Sequence, residues 1–267
     1  MKRDFSQVKR IVVKVGTSSL TYPNGKLNLH RIDRLSRDLC DLENQGKEVV
    51  LVSSGAIAAG VNRLHLPKKP DYVSGRQAMA CVGQSALMEI YNKCFADYGY
   101  NAGQLLLTKV VFDNPEMKQN FQNTIDEMMH YNVIPVINEN DSISVDEIKL
   151  GDNDNLSSLV ARLVNADLLI LLSDIDGVYD KDPKEHSDAK LISTVVDLDN
   201  GVKYDTNAKA SLLGTGGIAT KITACTSAAK AGIDAVVANS QNLNVIYDIL
   251  EGNEVGTFFV GDKNVRR

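Results

Sequence analysis

The residues best suited to chemistry are carboxylates, amides and lysines placed at breaks between apolar segments. The densest group is Gly151-Asp152-Asn153-Asp154-Asn155, two acids and two amides in four consecutive positions. One short polar residue is enough to cap a helix. This stretch has at least four, so a turn with a cap stands against a polar site aimed at a small charged ligand. Lys14 sits one residue from the end of a β-branched run, where an ammonium is costly unless it reaches a polar partner or snorkels to the surface. Gly16 and Thr17 follow it, offering backbone amides and a hydroxyl to an approaching phosphate. Ser53-Ser54-Gly55-Ala56 repeats the device after a second run, with a plain N-cap as its alternative. Gly214-Thr215-Gly216-Gly217-Ile218-Ala219-Thr220-Lys221 combines glycines with a helix start, which presents free N–H groups and the positive end of the helix dipole. It lacks the Gly-Lys-Ser/Thr of a P-loop, and no strand leads directly into it as a dinucleotide fingerprint requires. Taken alone, it could equally be a flexible loop.

Histidines are absent from these breaks. His30, His65, His130 and His186 read as surface or helix-face residues, and no Ser-His or Cys-His pair is suggested. Chemistry that needs a strong general base is therefore disfavoured. Phosphoryl transfer to an acceptor that is already ionised, such as a carboxylate, needs no base. It needs positioning and cationic neutralisation of the phosphoryl oxygens. Two lysines oriented by one carboxylate would supply that, with Mg²⁺ carried on the nucleotide phosphates.

The elements that must hold these residues follow from apolar patterning. Strands are predicted at 10–15, 49–52, 104–108, 133–137, 168–172, 234–238 and 256–260, with a hairpin strand at 191–196. Helices are predicted from about 31 to 44 behind Asn28, from 56 onward, from 74 to 98, from Asn114-Pro115 to about 131, from 156 to 165, from the 214–217 glycines to about 231, and from 243 to 250. Strands alternating with helices give an α/β fold around a mostly parallel sheet covered on both faces. Ligands in such folds lie outside the carboxyl ends of the strands. The breaks after Val15, Val52, Ile137 and Leu172 are therefore expected to converge on one sheet edge.

Composition bounds the rest. The 267 residues suit one large domain or two modest lobes, and 43% apolar with 24% charged residues is ordinary for a globular chain. A formal net charge of -5 argues against a nucleic-acid partner. The polar start, Met1 to Arg10, does not read as a secretory signal, and no apolar run approaches the roughly 18 residues of a membrane span. Cys40, Cys81, Cys94 and Cys225 form no Cys-x-x-Cys pair, so no zinc site is expected, and each reads as a buried small hydrophobe. The chain is expected to be soluble, reduced and cytoplasmic.

Lys14-Val-Gly-Thr17, Ser53-Ser-Gly-Ala56, Asn138-Glu-Asn-Asp-Ser142, Gly151-Asp-Asn-Asp-Asn155, Ser173-Asp-Ile-Asp-Gly-Val-Tyr179 and Gly214-Thr-Gly-Gly217 with Lys221 together resemble the amino acid kinase family. The resemblance runs from about residue 9 to 260. It is strongest to members that phosphorylate the γ-carboxylate of glutamate, the first step of proline biosynthesis. It implies a three-layer αβα sandwich, with the amino acid toward the N-terminal half and the nucleotide toward the C-terminal half. It implies ATP with Mg²⁺, L-glutamate as substrate, proline as feedback inhibitor, glutamyl phosphate reductase as the next enzyme, and a homo-oligomer. By the same resemblance Lys14 and Lys221 neutralise the transferring phosphoryl group and Asp154 holds the two lysines. Ser54, Asp141 and Asn153 bind the substrate, with Asp141 facing its α-ammonium. Ser173 and Asp174 line the nucleotide site, and Thr215, Gly216, Gly217, Ile218, Ala219, Thr220 and Lys221 cover the phosphates. Many glutamate-phosphorylating members carry an extra C-terminal PUA domain, whereas residues 1–267 are expected to form a single kinase domain without one. The competing readings are a family member acting on N-acetylglutamate, aspartate or carbamate, and a non-catalytic nucleotide or amino acid sensor.

Overall fold

The structure is a computed structural model that describes residues 3–144, 153–183, 185–198, 217–242 and 244–265. Eight strands form one sheet: β1 (Arg10–Val15), β2 (Glu48–Ser53), β3 (Asn101–Leu107), β4 (Val133–Glu139), β5 (Leu168–Ser173), β6 (Thr194–Val195), β7 (Asp234–Asn239) and β8 (Thr257–Phe259). Their order is β3-β4-β2-β1-β5-β7-β8-β6, and every pairing is parallel except β7 with β8. The described helices are α1 (Thr17–Leu20), α2 (Leu29–Asn44), α3 (Ala56–Arg63), α4 (Val73–Ala96), α5 (Val110–Asp113), α6 (Pro115–His130), α7 (Asp154–Leu163), α8 (Ile218–Lys230) and α9 (Val245–Leu250).

Alternation along β1 sets the layers. Ile11, Val13 and Val15 enter one core with α2, α4 and α9, through residues such as Leu39, Leu87, Phe95 and Ile249. Val12 enters the other core, with Phe121 and Ile125 of α6, Leu156 and Val160 of α7, and Ile222 and Cys225 of α8. This is the expected αβα sandwich. Lys14 has the parity of Val12, so it is directed to the α7 and α8 side. In β1 it pairs with Val52 of β2 and Leu171 of β5, in the middle of the sheet.

The strands β4, β2, β1 and β5 are adjacent and parallel, so the four polar breaks do converge on one edge. From β1 the chain runs to β2 on one side and later returns to β5 on the other. The crevice where strand order reverses is the expected place for a ligand.

Several capping expectations hold. The Asn28 side chain accepts from Arg31 N at 3.2 Å, and that of Asn114 from Met117 N at 3.0 Å with Pro115 opening α6. Two expectations need correction. The 191–196 segment is not one hairpin strand: only Thr194–Val195 is a strand, and it pairs in parallel with β8, while Leu191 makes an isolated antiparallel bridge to Tyr179. Of the four cysteines only Cys40 and Cys225 are buried. Cys81 is exposed and Cys94 half-buried, because α4 is long enough to present one side to solvent. Among the described residues no helix is long and apolar enough to cross a membrane.

Candidate active site

The centre of the site is one carboxylate between two lysines. Asp154, the first residue of α7, is fully buried. Its Oδ1 accepts a hydrogen bond from Lys14 Nζ, and its Oδ2 accepts one from Lys221 Nζ at 3.0 Å. The Thr220 hydroxyl donates to the same Oδ2 at 3.1 Å. The two ammonium groups are nearly as buried as the acid, with side chains 5% and 9% exposed. Three charges removed from water in one cluster carry a net positive charge. Such a cluster is expensive as a structural device and is suited to a polyanion.

Each partner arrives by a separate element. Lys14 comes from the end of β1, Asp154 from the start of α7 and Lys221 from the first turn of α8, whose N-cap is Gly217. Gly16 leaves the space beside Lys14 open: a Cβ there would lie 3.7 Å from Nζ.

A second group begins at the residue before Asp154. Asn153 occupies the N-cap position of α7, yet its side chain makes no cap hydrogen bond. Its Nδ2 donates instead to Ser53 O at 2.9 Å, Ser54 Oγ at 3.0 Å and Asn138 Oδ1 at 2.8 Å. Asn153 Oδ1 is buried without a hydrogen-bond partner. The helix start has given up its usual side-chain cap, and the amide is committed to the ends of β2 and β4.

Asp141 follows β4 and is 5% exposed, with Oδ1 also buried and unpartnered. Burial pushes its carboxyl up to about 7, and the neighbouring Glu139 pushes the same way, while Lys69 pulls down. A buried acid with an open oxygen is a strong acceptor for an incoming cation. It lines a cavity of about 610 Å³ together with Thr17, Gly55, Ala56, Lys68 and Lys69. Gly55 can turn the chain there because its φ is 97°, a left-handed conformation that admits glycine freely.

The structure thus joins Lys14, Asp154 and Lys221 directly, and Ser54 with Asn153. Ser173 and Asp174 lie at the end of β5, where the Ser173 hydroxyl donates to Asp174 Oδ1 at 3.2 Å. Gly217, Ile218, Ala219 and Thr220 open α8, with Thr220 turned toward Asp154. Thr215 and Gly216, with Asp152, lie outside the described residues. The four histidines are all exposed, as expected. Sequence reasoning quoted Ser53 and Asn138 within motifs but gave them no role, and it passed over Gln84. Register was the available signal for the first two: Val52 pairs with Ile137, so Ser53 and Asn138 are the next residues on neighbouring strands.

Comparison with known proteins agrees with this geometry. Residues 9–239 match the amino acid kinase family. The glutamate 5-kinase of Clostridium perfringens is 50% identical, covering 98% of this chain and 99% of that protein. The glutamate 5-kinase of Listeria innocua is 45% identical, covering 98% of this chain and 97% of its own. In fold, the chain is similar to the crystal structure of UMP kinase from Bacillus anthracis, with a TM-score of 0.61 at 17% identity over 96% of this chain and 97% of that one. Two lysines on one buried carboxylate at the switch point of a parallel sheet, and a family match across 9–239, lead to one assignment: the chain belongs to the amino acid kinase family.

Proposed function

We propose that this chain phosphorylates the γ-carboxylate of L-glutamate, using ATP with Mg²⁺, to give L-glutamyl 5-phosphate. The observation that carries the reading is the buried Lys14–Asp154–Lys221 cluster together with two unpartnered acceptors, Asn153 Oδ1 on the residue before Asp154 and Asp141 Oδ1 in the cavity it shares with Thr17 and Gly55. The cations suit the phosphoryl group and the acceptors suit the substrate ammonium. The two functions meet at consecutive residues, Asn153 and Asp154.

Lys14 and Lys221 would meet the phosphoryl oxygens and neutralise the charge that spreads over them in transfer. Asp154 would keep both ammonium groups aimed at one point, and Thr220 would hold that carboxylate through the same Oδ2 that meets Lys221. An ionised γ-carboxylate attacks without losing a proton, so the centre built on Lys14, Asp154 and Lys221 needs no histidine as a general base. Magnesium on the nucleotide phosphates would add further charge neutralisation and orientation. Gly217 to Thr220 would cover those phosphates, with Ser173 and Asp174 beside the nucleotide. Thr215 and Gly216 extend the same segment in sequence.

Asp141 separates this reading from N-acetylglutamate or carbamate as the acceptor. A free α-ammonium requires an anionic or acceptor partner, whereas an N-acetylated amine carries no charge to satisfy one. The full-length relatives named glutamate 5-kinase support the same choice. The proposal also carries a cytoplasmic setting, a homo-oligomer, proline as feedback inhibitor and glutamyl phosphate reductase as the consumer of a labile acyl phosphate. The deciding experiment measures ADP release with glutamate, N-acetylglutamate and aspartate in parallel. Turnover with glutamate is expected. Turnover supported only by N-acetylglutamate or aspartate would overturn the substrate assignment.

A further inference from the structure

Helix α4 carries a polar ladder that the catalytic cluster does not use. Gln77, Gln84 and Tyr91 are spaced by seven residues, so they lie along one face of the helix. Each reaches a different part of the second group. Gln77 Nε2 donates to Asp141 O at 3.1 Å. Gln84 Oε1 accepts from Asn138 Nδ2 at 2.9 Å, and Gln84 Nε2 donates to Gln104 Oε1 of β3 at 3.1 Å. Tyr91 OH shares a 2.8 Å hydrogen bond with Ser53 Oγ. Gln84 and Tyr91 are buried, which is uncommon for such groups without a partner to satisfy them.

The middle rung has a directional consequence. Gln84 accepts from Asn138 Nδ2, which leaves Asn138 Oδ1 to accept from Glu139 N and from Asn153 Nδ2. Asn153 must then present Oδ1, an acceptor with no hydrogen-bond partner, rather than its amide hydrogens. The lower rung fixes the backbone of Asp141, whose Oδ1 is also a buried open acceptor. The ladder itself is held rigidly. A Cβ on Gly83 would lie 1.7 Å from Ala56 O, and one on Gly60 would lie 2.0 Å from Met79 O, so α3 and α4 touch backbone to backbone.

We propose that Gln84, seconded by Gln77, is a positioning residue that aims the acceptors of Asn153 and Asp141 at the substrate ammonium, and so sets selectivity for an α-amino acid. The inference rests on the glutamate-kinase reading above. Neither glutamine touches the reacting atoms. Their loss acts on how well the amine is recognised and leaves the lysine cluster in place.

The test compares glutamate with glutarate, which keeps both carboxylates and lacks the amine. The readouts are kcat and KM for each, with thermal melting as a control. Wild type should strongly prefer glutamate. Gln84→Met fills similar space without hydrogen bonding, and should raise the glutamate KM roughly tenfold with little change in kcat, lowering the glutamate-to-glutarate preference by a similar factor. Gln77→Met, whose partners lie nearer the surface, should move the preference the same way. Gln84→Glu keeps an acceptor for Asn138 Nδ2 and should restore the preference. A melting temperature that falls while the preference stays at the wild-type value, in both methionine variants, would reduce the ladder to a structural role and overturn the inference. A wild-type enzyme that turns over glutarate as readily as glutamate would instead overturn the ammonium reading itself, and the ladder's proposed role with it.

Discussion

Replacing Asp154 by Asn tests the centre of the site with almost no change in shape. The carboxylate is fully buried and meets two lysines whose side chains are 5% and 9% exposed. An amide can accept from one lysine through Oδ1, but its Nδ2 would then face the other ammonium. Removing one member of a buried ionic group costs on the order of 3–5 kcal/mol, because an uncompensated charge stays buried. For a chain of this size each kcal/mol moves the melting temperature by about 2–4 °C, so a fall of roughly 10 °C is expected. ATP should recover more stability in Asp154→Asn than in wild type, since its phosphates supply the anion that the lysines have lost. Turnover should nevertheless fall by roughly 10²–10³, because the lysines are no longer aimed at one point. Differential scanning fluorimetry with and without ATP, beside steady-state kinetics, measures all three. A variant that melts within about 2 °C of wild type and retains full turnover would refute the claim that Asp154 holds the lysines.

Lys14→Ala and Lys221→Ala should each reduce kcat by roughly 10²–10³ in an ADP-release assay, and near-normal turnover in both would sink the charge-neutralisation mechanism. The Asp141 carboxyl is pushed up to about 7 by burial and by Glu139, so ionised Asp141 becomes available only as pH rises through that value. The glutamate KM should accordingly fall from pH 6 to pH 8, and Asp141→Asn should raise KM and flatten that profile; an unchanged slope would remove the role. The same raised carboxyl makes the free protein lose stability as pH rises from the ordinary carboxylate range toward about 7, since the folded state holds the proton more tightly. Asp141→Asn should therefore melt progressively higher than wild type across that window, and a constant difference in melting temperature would contradict the assignment. Gly83→Ala should destabilise by about 1–3 kcal/mol or more in chemical denaturation, because its Cβ would meet Ala56 O at 1.7 Å; wild-type stability would contradict the close α3–α4 contact.

What could be read from the sequence follows a physical line. The sheet was legible because strands buried on both faces write continuous apolar runs, as Leu168 to Leu172 do. The convergence of four breaks followed from parallel pairing alone. Lys14 was legible as an anomaly, an ammonium inside such a run. The particular link of Lys14 to Lys221 through Asp154 was not legible from residue types and spacing: it depends on α7 and α8 lying side by side, with Lys14 140 residues and Lys221 67 residues of chain from Asp154. Gln84 was hidden for a different reason. A glutamine within a helix reads as surface by default, and only the neighbouring Gly83, one of several small residues in α4, hinted that this face meets another backbone. The short β6 was misplaced because a two-residue strand leaves too little pattern to fix its partner.

The start of α7 shows why the two halves of the site are coupled. A helix normally gains about 1 kcal/mol from a side-chain cap, and Asn is among the best residues for it. Asn153 is at that position and does not cap. Its two amide hydrogens, shared among Ser53 O, Ser54 Oγ and Asn138 Oδ1, tie the helix start to the ends of β2 and β4, whereas the next residue ties it to β1 and α8. Any shift of α7 along its axis must therefore disturb the amide acceptor and the lysine cluster together. Substrate recognition and phosphoryl positioning cannot be adjusted independently at this helix. That constraint gives a reason for α4 to carry a separate ladder: through Gln84 and Gln77 it bears on the acceptors from the opposite layer of the sandwich, where it can tune the amine subsite without moving the carboxylate that holds the lysines.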